Sequence, residues 1–343
     1  MPGKSYLGKP EGVQKLFQQD FTRVSRNTIF RKHKYLSSDN LTQVATLLNF
    51  DKNPWKSATF GVSQPPNEET IMDTQIIVVF CLCADMLTAL HHYEDRQRQM
   101  SDAEVMTTAI VAMMYFKGNF CMASRFLYEG HYIPNMLGKS RFNRRLHNIA
   151  ELFLTLFLRL GETWKKLNEN SIYVIDSYPI AVCDNYRIPR AEIYQGEDWR
   201  GYIPSKKRYF YGVRIHILVT EQGEPVEFFL APGAMNDTSA LGLYNFDLPE
   251  ESLVIGDKAY NDYVIEDIMK EAGIVLSPIR KKNSLRPVPP FIFYFQSTIR
   301  KVVETTGSLI ERLLPKSIHA VTAKGFELKV ALFVLACSIN FLW

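Results

Sequence analysis

Long uninterrupted apolar runs are missing from this chain of 343 residues. The longest, Ile76–Ala84 and Val330–Cys337, fall short of the roughly 20 residues a membrane span needs. Both read as buried helices, and no membrane partner is expected. Cysteine is scarce: Cys81, Cys83, Cys121, Cys183 and Cys337 make an odd and widely spread five. That excludes a disulfide framework and a paired CxxC zinc site, and fits a reducing cytosol. The start, MPGKSYLGKPEGVQK, lacks the apolar core of a signal peptide, so a cytoplasmic location is expected. Neither sign of charge dominates: 40 basic against 36 acidic residues give +4. A polyanionic partner must therefore be held by local clusters. Repeats and low-complexity tracts are also missing.

What is present divides into two textures. Residues 1–170 carry 21 basic and 16 acidic groups, net +5, and the remainder 19 and 20, net −1. The first half is the better holder of a polyanion, and the second concentrates carboxylates. Val13, Leu16, Phe17, Phe21 and Val24 recur at helical spacing, so a basic helical arm is expected over 1–50. Residues 51–68, rich in Pro, Gly and Ser, read as a linker. A helical region follows over 69–168. Its first helix runs from about Glu69 to Tyr93. Ser101 and Glu104 form a capping-box signature for the next. Ser140 caps a third long helix that carries Phe142, Leu146, Ile149, Leu152, Leu156, Leu160 and Trp164.

From Ser171 onward the pattern is strand-like. SIYVID, RYFYGVRIHILVT (208–220) and PVEFFLA (225–231) are β-branched or aromatic, with Glu221–Glu224 as a hairpin turn. SLVIGD (252–257) is a continuous apolar run, as in a strand covered on both faces. Helical and strand-like segments alternate to residue 279, and helices at about 297–314 and 325–342 close the chain. The expectation is an α/β domain over 171–343, a mixed sheet flanked by helices, preceded by an all-helical region.

Asp176 and Asp257 share one grammar, each ending a short apolar strand (YVID, VIGD) before turn-forming residues. Open α/β sheets hold ligands at such strand mouths, and paired carboxylates bind hard cations through oxygen. A third carboxylate is expected from the helix around Arg300. Its apolar residues Val302, Val303, Leu309, Ile310, Leu313 and Leu314 are read as one stripe, with Arg300, Glu304, Gly307, Ser308 and Glu311 opposite. Gly307, a poor helix residue, makes sense if something must approach the backbone closely.

Basic residues cluster around these carboxylates. Arg280, Lys281, Lys282, Arg286, Arg300 and Lys301 lie in a stretch without an acid. Lys206, Lys207 and Arg208 lie in another, Trp199–Arg214, interleaved with Tyr202, Tyr209, Phe210 and Tyr211. Cations with aromatics suit phosphates and stacking bases. Lys139, Arg141, Arg144 and Arg145 gather at a helix start in the first half, where anions bind well. Elsewhere the bland readings are favoured. His91, His92, Glu94 and Asp95 read as a solvated helix end, Cys81 and Cys83 as core, and Asn236-Asp237 as a helix cap. His216 faces opposite to Ile215 and Ile217 in its strand, placing it behind the site or against DNA.

The motifs in order (YVIDSYPIAVC, KKRYFYGVRIHILVT, EPVEFFLAPGAMND, VIGDKAY, then Arg300-x-x-x-Glu304-Thr) resemble the DDE catalytic domain of bacterial insertion-sequence transposases, the insertion sequence 982 type among them. MSDAEV, SRFNRRLH and the closing HAVTAKGFELKVALFVLACSINF match as well. The resemblance covers about residue 100 to the end. It implies a ribonuclease H-like fold and a triad of Asp176, Asp257 and Glu304. It also implies two magnesium ions, with manganese as a substitute, and Asp176 shared between them. DNA-binding residues are expected at Lys139, Arg141, Arg144, Arg145, Lys206, Lys207, Arg208, Arg280, Lys281, Lys282 and Arg300. The expected partner is double-stranded DNA, both terminal inverted repeats and target, bound by a homodimer, with no small-molecule substrate. Related families often carry a Tyr three residues before the Arg and a Lys seven after the Glu; here these are Ser297 and Glu311, so the phosphate-gripping Lys is absent. A haloacid-dehalogenase-like phosphatase is rejected because Tyr178 stands where that chemistry needs a second Asp. The remaining alternative is a catalytically silent, DNA-binding relic that represses transposition.

Overall fold

The computed structural model describes residues 68–343. The expected helix at 10–25, the arm over 1–50 and most of the linker lie outside the described residues. The described residues fall in one unit by their contacts.

Among the described residues, five helices come first. Helix α1, Glu68–Ala89, ends four residues before Tyr93 and packs on α2, Asp102–Tyr115. The capping box at the start of α2 is complete: the Ser101 side chain accepts from the Glu104 N–H, and the Glu104 side chain accepts from the Ser101 N–H. Helix α3 is Phe120–Glu129. The single long helix expected from Ser140 is two helices, α4 (Lys139–Asn148) and α5 (Ala150–Leu167). Gly138, not Ser140, is the N-cap of α4. The break falls at Ile149, whose φ of −102° and ψ of 16° leave the helical region. Phe142, Leu146, Leu156, Leu160 and Trp164 are buried across the break, so the apolar stripe runs on through it.

Strands follow as β1 (Ile172–Cys183), β2 (Arg200–Ile203), β3 (Arg208–Thr220) and β4 (Pro225–Pro232). The β3–β4 turn contains Gly223 at φ +100°, a conformation that favours glycine. A short helix α6, Asp237–Leu241, starts with Asn236 as its N-cap, accepting from the Ser239 N–H. Then come β5 (Leu253–Gly256), α7 (Tyr263–Glu271) and β6 (Val275–Pro278). The sheet order is β2-β3-β1-β5-β6, with β4 also paired to β3. β1, β5 and β6 are parallel, while β3 runs antiparallel to β1, β2 and β4. This is the expected mixed sheet flanked by helices with a helical region before it.

Helix α8, Pro290–Leu313, packs on β1 and β5, and α9, Ala323–Ile339, packs on α2, α5, α8 and β4. Pro289 and Pro290 start α8 earlier than the apolar periodicity indicates, as proline fits a first helical turn. Among the described residues, two helices are by length and composition apolar enough to cross a membrane, through windows Ile71–Ala89 and Ala323–Leu342. The uninterrupted runs understate them, because single polar residues break the runs without breaking the helices. In the fold α9 is a core helix: Phe326 and Val330–Ile339 are buried almost throughout, and Trp164 Nε1 donates to Ser338 Oγ at 3.0 Å. Helix α1 buries Ile76, Val79, Cys83, Met86 and Leu87 but exposes Ile71, Ile77 and Phe80. Cys83 is core as expected, with burial pushing its thiol up to about 12, whereas Cys81 is exposed.

Candidate active site

The parallel register of β1 and β5 is what brings the two aspartates together. Ile172 lies beside Leu253 and Val174 beside Ile255, an offset of 81 residues (253 minus 172). Continued by two residues, the same offset sets Asp257 level with Asp176. Asp257 leaves β5 immediately after Gly256, where the chain turns through Lys258–Tyr260. Asp176, expected at a strand end, sits inside β1 opposite Ile217 of β3. Pairing with β5 stops at Val174, and the strand continues along β3 alone to Cys183. Asp176 therefore stands at a notch in the sheet, paired on one side and open on the other.

Helix α8 covers that notch, and Tyr178 fixes where. Tyr178 is two residues beyond Asp176 and shares its face of the strand. Its hydroxyl donates to the Val303 carbonyl, and its ring lies against Gly307, where an added Cβ would sit 2.2 Å from a ring carbon. Gly307 is thus not on the polar face but buried with Val303 and Ile310. The reason is helix arithmetic: residues four apart lie about 40° apart, so Gly307 follows Val303 onto the packed side. The expectation of a close approach holds, and what approaches is the Tyr178 ring.

With α8 anchored, Arg300 reaches all three candidate carboxylates. Its Nη2 lies 3.4 Å from Asp176 Oδ2 and 3.8 Å from Asp257 Oδ2, and its Nη1 lies 3.4 Å from Glu304 Oε1. The side chains of Asp176, Asp257 and Glu304 are 15, 38 and 55% exposed, a gradient from sheet to solvent. Burial pushes the Asp176 carboxyl up to about 6. The Ser177 N–H, which donates to its Oδ1 at 2.8 Å, and Arg300 oppose the rise; Asp257 and Asp237 add to it. For Arg300 burial acts downward, but the three carboxylates more than offset it and hold the guanidinium above its ordinary value. Three carboxylates thus face one cationic group, and carboxylate oxygens are the donors that hard divalent cations take.

Behind the strand, Ser177 Oγ donates to Asp237 Oδ1 at 2.7 Å. His216, paired with Ser177 across β1 and β3, is fully buried and stacks on Phe229. It therefore lies behind the site and not against DNA. Burial, with Arg214 nearby, lowers its imidazole to about 3, so it is neutral.

The expected DNA-binding residues separate into groups. Lys281 and Lys282 are exposed just past β6, at the same carboxyl end of the parallel strands as Asp257. Lys206, Lys207 and Arg208 are exposed at the β2–β3 turn. At about 3.3 Å per residue they lie roughly 30 Å along β3 from the level of Asp176. Lys139, Arg141 and Arg144 are exposed on α4. Three arginines are engaged within the fold instead. Arg280 makes paired bonds of 2.5 and 2.9 Å to buried Glu266. Arg145 pairs with Asp102 and donates to the Met100 carbonyl at 3.1 Å. Arg300 is held by the carboxylates. Sequence clustering cannot separate these from the exposed cations, because their partners are distant in the chain.

A second acidic group lies in the helical region. His92, Glu94 and Asp102 offer ligand atoms within 4.8 Å of one another. His92 is not a solvated helix end: its Nε2 lies 2.9 Å from Asp102 Oδ2. Arg98 pairs with Glu94 and Arg145 with Asp102. With two arginines on its two carboxylates, this group is a charge-balanced network. It shares no residue with the triad.

Residues 166–312 match the family model of the transposase DDE domain. The matched segment contains Asp176, Asp257, Glu304 and Arg300 and supports a DDE transposase. A cryo-EM structure of the piggyBac transposase synaptic complex with hairpin DNA is also similar, at 10% identity and a TM-score of 0.40, over 92% of this chain and 74% of that one. No curated protein matches the chain.

Proposed function

We propose that this chain is a transposase that binds transposon ends and catalyses metal-dependent DNA strand cleavage and strand transfer. The observation that carries the reading is the convergence of Asp176, Asp257 and Glu304 on one guanidinium, within the segment that matches the DDE domain. Magnesium, with manganese as a substitute, would be held by these three carboxylates and would activate water or a 3′-hydroxyl and stabilise the leaving oxygen. The chain's own contribution is positioning. The β1–β5 register aligns the aspartates, and the Tyr178–Gly307 contact sets Glu304 beside them. Lys281 and Lys282 stand at the same end for a phosphate backbone. Lys139, Arg141 and Arg144 form a separate patch for end recognition, and Lys206, Lys207 and Arg208 a third at the hairpin tip. The finer assignment, to the insertion sequence 982 type of bacterial element working as a homodimer, rests on the resemblance carried by the ordered sequence motifs, and a cytoplasmic location on the five scattered cysteines.

The test uses the two exposed glutamates of α8. Glu304 and Glu311 are seven residues apart, about 10 Å along the axis, and Glu304 is the one beside Arg300. Glu304→Gln should abolish cleavage and strand transfer on a transposon-end duplex while leaving end binding in a gel shift. Glu311→Gln should keep measurable cleavage. Reversed phenotypes would overturn the assigned triad.

A further inference from the structure

Arg300 does not sit in the triad as a well-made ion pair. Charge-assisted N–H···O bonds run about 2.7–2.9 Å, whereas its three carboxylate contacts are 3.4, 3.8 and 3.4 Å. Only the one to Asp176 has the geometry of a hydrogen bond, and at 3.4 Å it is long. The group is central and loosely held, shared among three partners and optimised for none.

We infer that Arg300 is the resident counter-ion of the metal-free site, occupying the position of a divalent cation and competing with it for Asp176, Asp257 and Glu304. This deepens the transposase reading and rests on it. Without a cation the three carboxylates repel one another. Arg300 holds them together on the folded scaffold, so the site is preformed before metal arrives. Its single charge against three leaves the site net negative, which a divalent ion satisfies better. Metal loading then releases the guanidinium from the carboxylates. Arg300 is accordingly a positioning residue toward the metal.

The experiment is calorimetric titration of manganese into the wild-type protein, Arg300→Gln and Arg300→Lys, without DNA, with melting curves on the same samples. Arg300→Gln should bind manganese about tenfold more tightly, because a competing charge is gone. Its metal-free form should melt lower than the wild type, and the gap should close at saturating manganese. Arg300→Lys keeps the charge and should bind close to the wild type. A residue with a purely structural role cannot tighten metal binding when removed. Equal or weaker binding by Arg300→Gln overturns the inference. Should that variant not fold, the Arg300 Nε–H resonance of the wild type decides: it should shift on magnesium titration, and a fixed resonance overturns the inference. No manganese binding by the wild type would instead refute the metal-dependent reading itself.

Discussion

Arg280 and Arg300 each lie among carboxylates, and the two places are built differently. At the edge of the sheet, Arg280 meets Glu266 through paired bonds of 2.5 and 2.9 Å, and the Glu266 side chain is 6% exposed. Arg286 joins, 3.3 Å from Glu266 and 2.8 Å from Asp267, so two cations meet two anions and the charge closes. At the notch above β1, one cation meets three anions through contacts of 3.4–3.8 Å. The first is a short, closed, structural pair. The second leaves an excess of negative charge in a half-buried position, which folding alone gives no reason to keep. Unbalanced carboxylates held by a rigid scaffold are what a metal-dependent site needs before its metal binds.

Breaking each arginine gives the largest expected contrast. Arg280→Ala leaves Glu266 buried and short of its main partner, with a cost of about 3 kcal/mol or more in urea unfolding. Arg300→Gln, at a more open site, should cost about 1 kcal/mol or less. A greater loss at Arg300 than at Arg280 would erase the distinction. The next effect is steric. Gly307→Ala gains about 1 kcal/mol of helix propensity but places a Cβ 2.2 Å from the Tyr178 ring. The overlap should cost about 1–3 kcal/mol and reduce cleavage by displacing Glu304. Ser308→Ala, on the exposed side of α8, should do neither, and equal behaviour of the two variants would show that Tyr178 does not set the helix.

A pH series sharpens the comparison further. Folded Asp176 releases its proton near pH 6, against an ordinary value of 3.8, chiefly because it is buried. Between these values the folded protein binds more protons than the unfolded chain, so stability falls as pH rises. In the absence of metal the wild type should lose stability relative to Asp176→Asn between about pH 4 and 6, then level off. A difference that grows in the opposite direction would contradict the burial of Asp176. The smallest effect concerns exposed cations. Replacing Lys139, Arg141 and Arg144 with Ala should flatten the salt dependence of DNA binding by about 0.9 per lost phosphate contact. An unchanged slope would make this patch a solvated face.

Local pattern reaches far into this fold. The Ser101 capping box, the β3–β4 turn, the Asn236 cap and the shared context of Asp176 and Asp257 can all be read from residues a few positions apart. The offset of 81 residues between the aspartates is the register of the strands that carry them. What stays hidden depends on distant partners. SYP after Asp176 resembles a turn, yet β1 runs through Pro179, which is tolerated because that edge of the strand has no neighbour beyond Val174. The break at Ile149 is invisible because the apolar stripe keeps phase across it. Arg145, Arg280 and Arg300 look like free cations until Asp102, Glu266 and Asp176 are brought to them. Tyr178 and Gly307 are 129 residues apart (307 minus 178), and only their contact explains both.

The most direct measurement is the melting temperature of the wild type and of Asp176→Ala, each with magnesium, with manganese and with chelator. Either metal should raise the wild-type melting temperature, because it relieves the excess charge at the notch, and should leave Asp176→Ala unmoved. No shift in the wild type, or an equal shift in the variant, would contradict it.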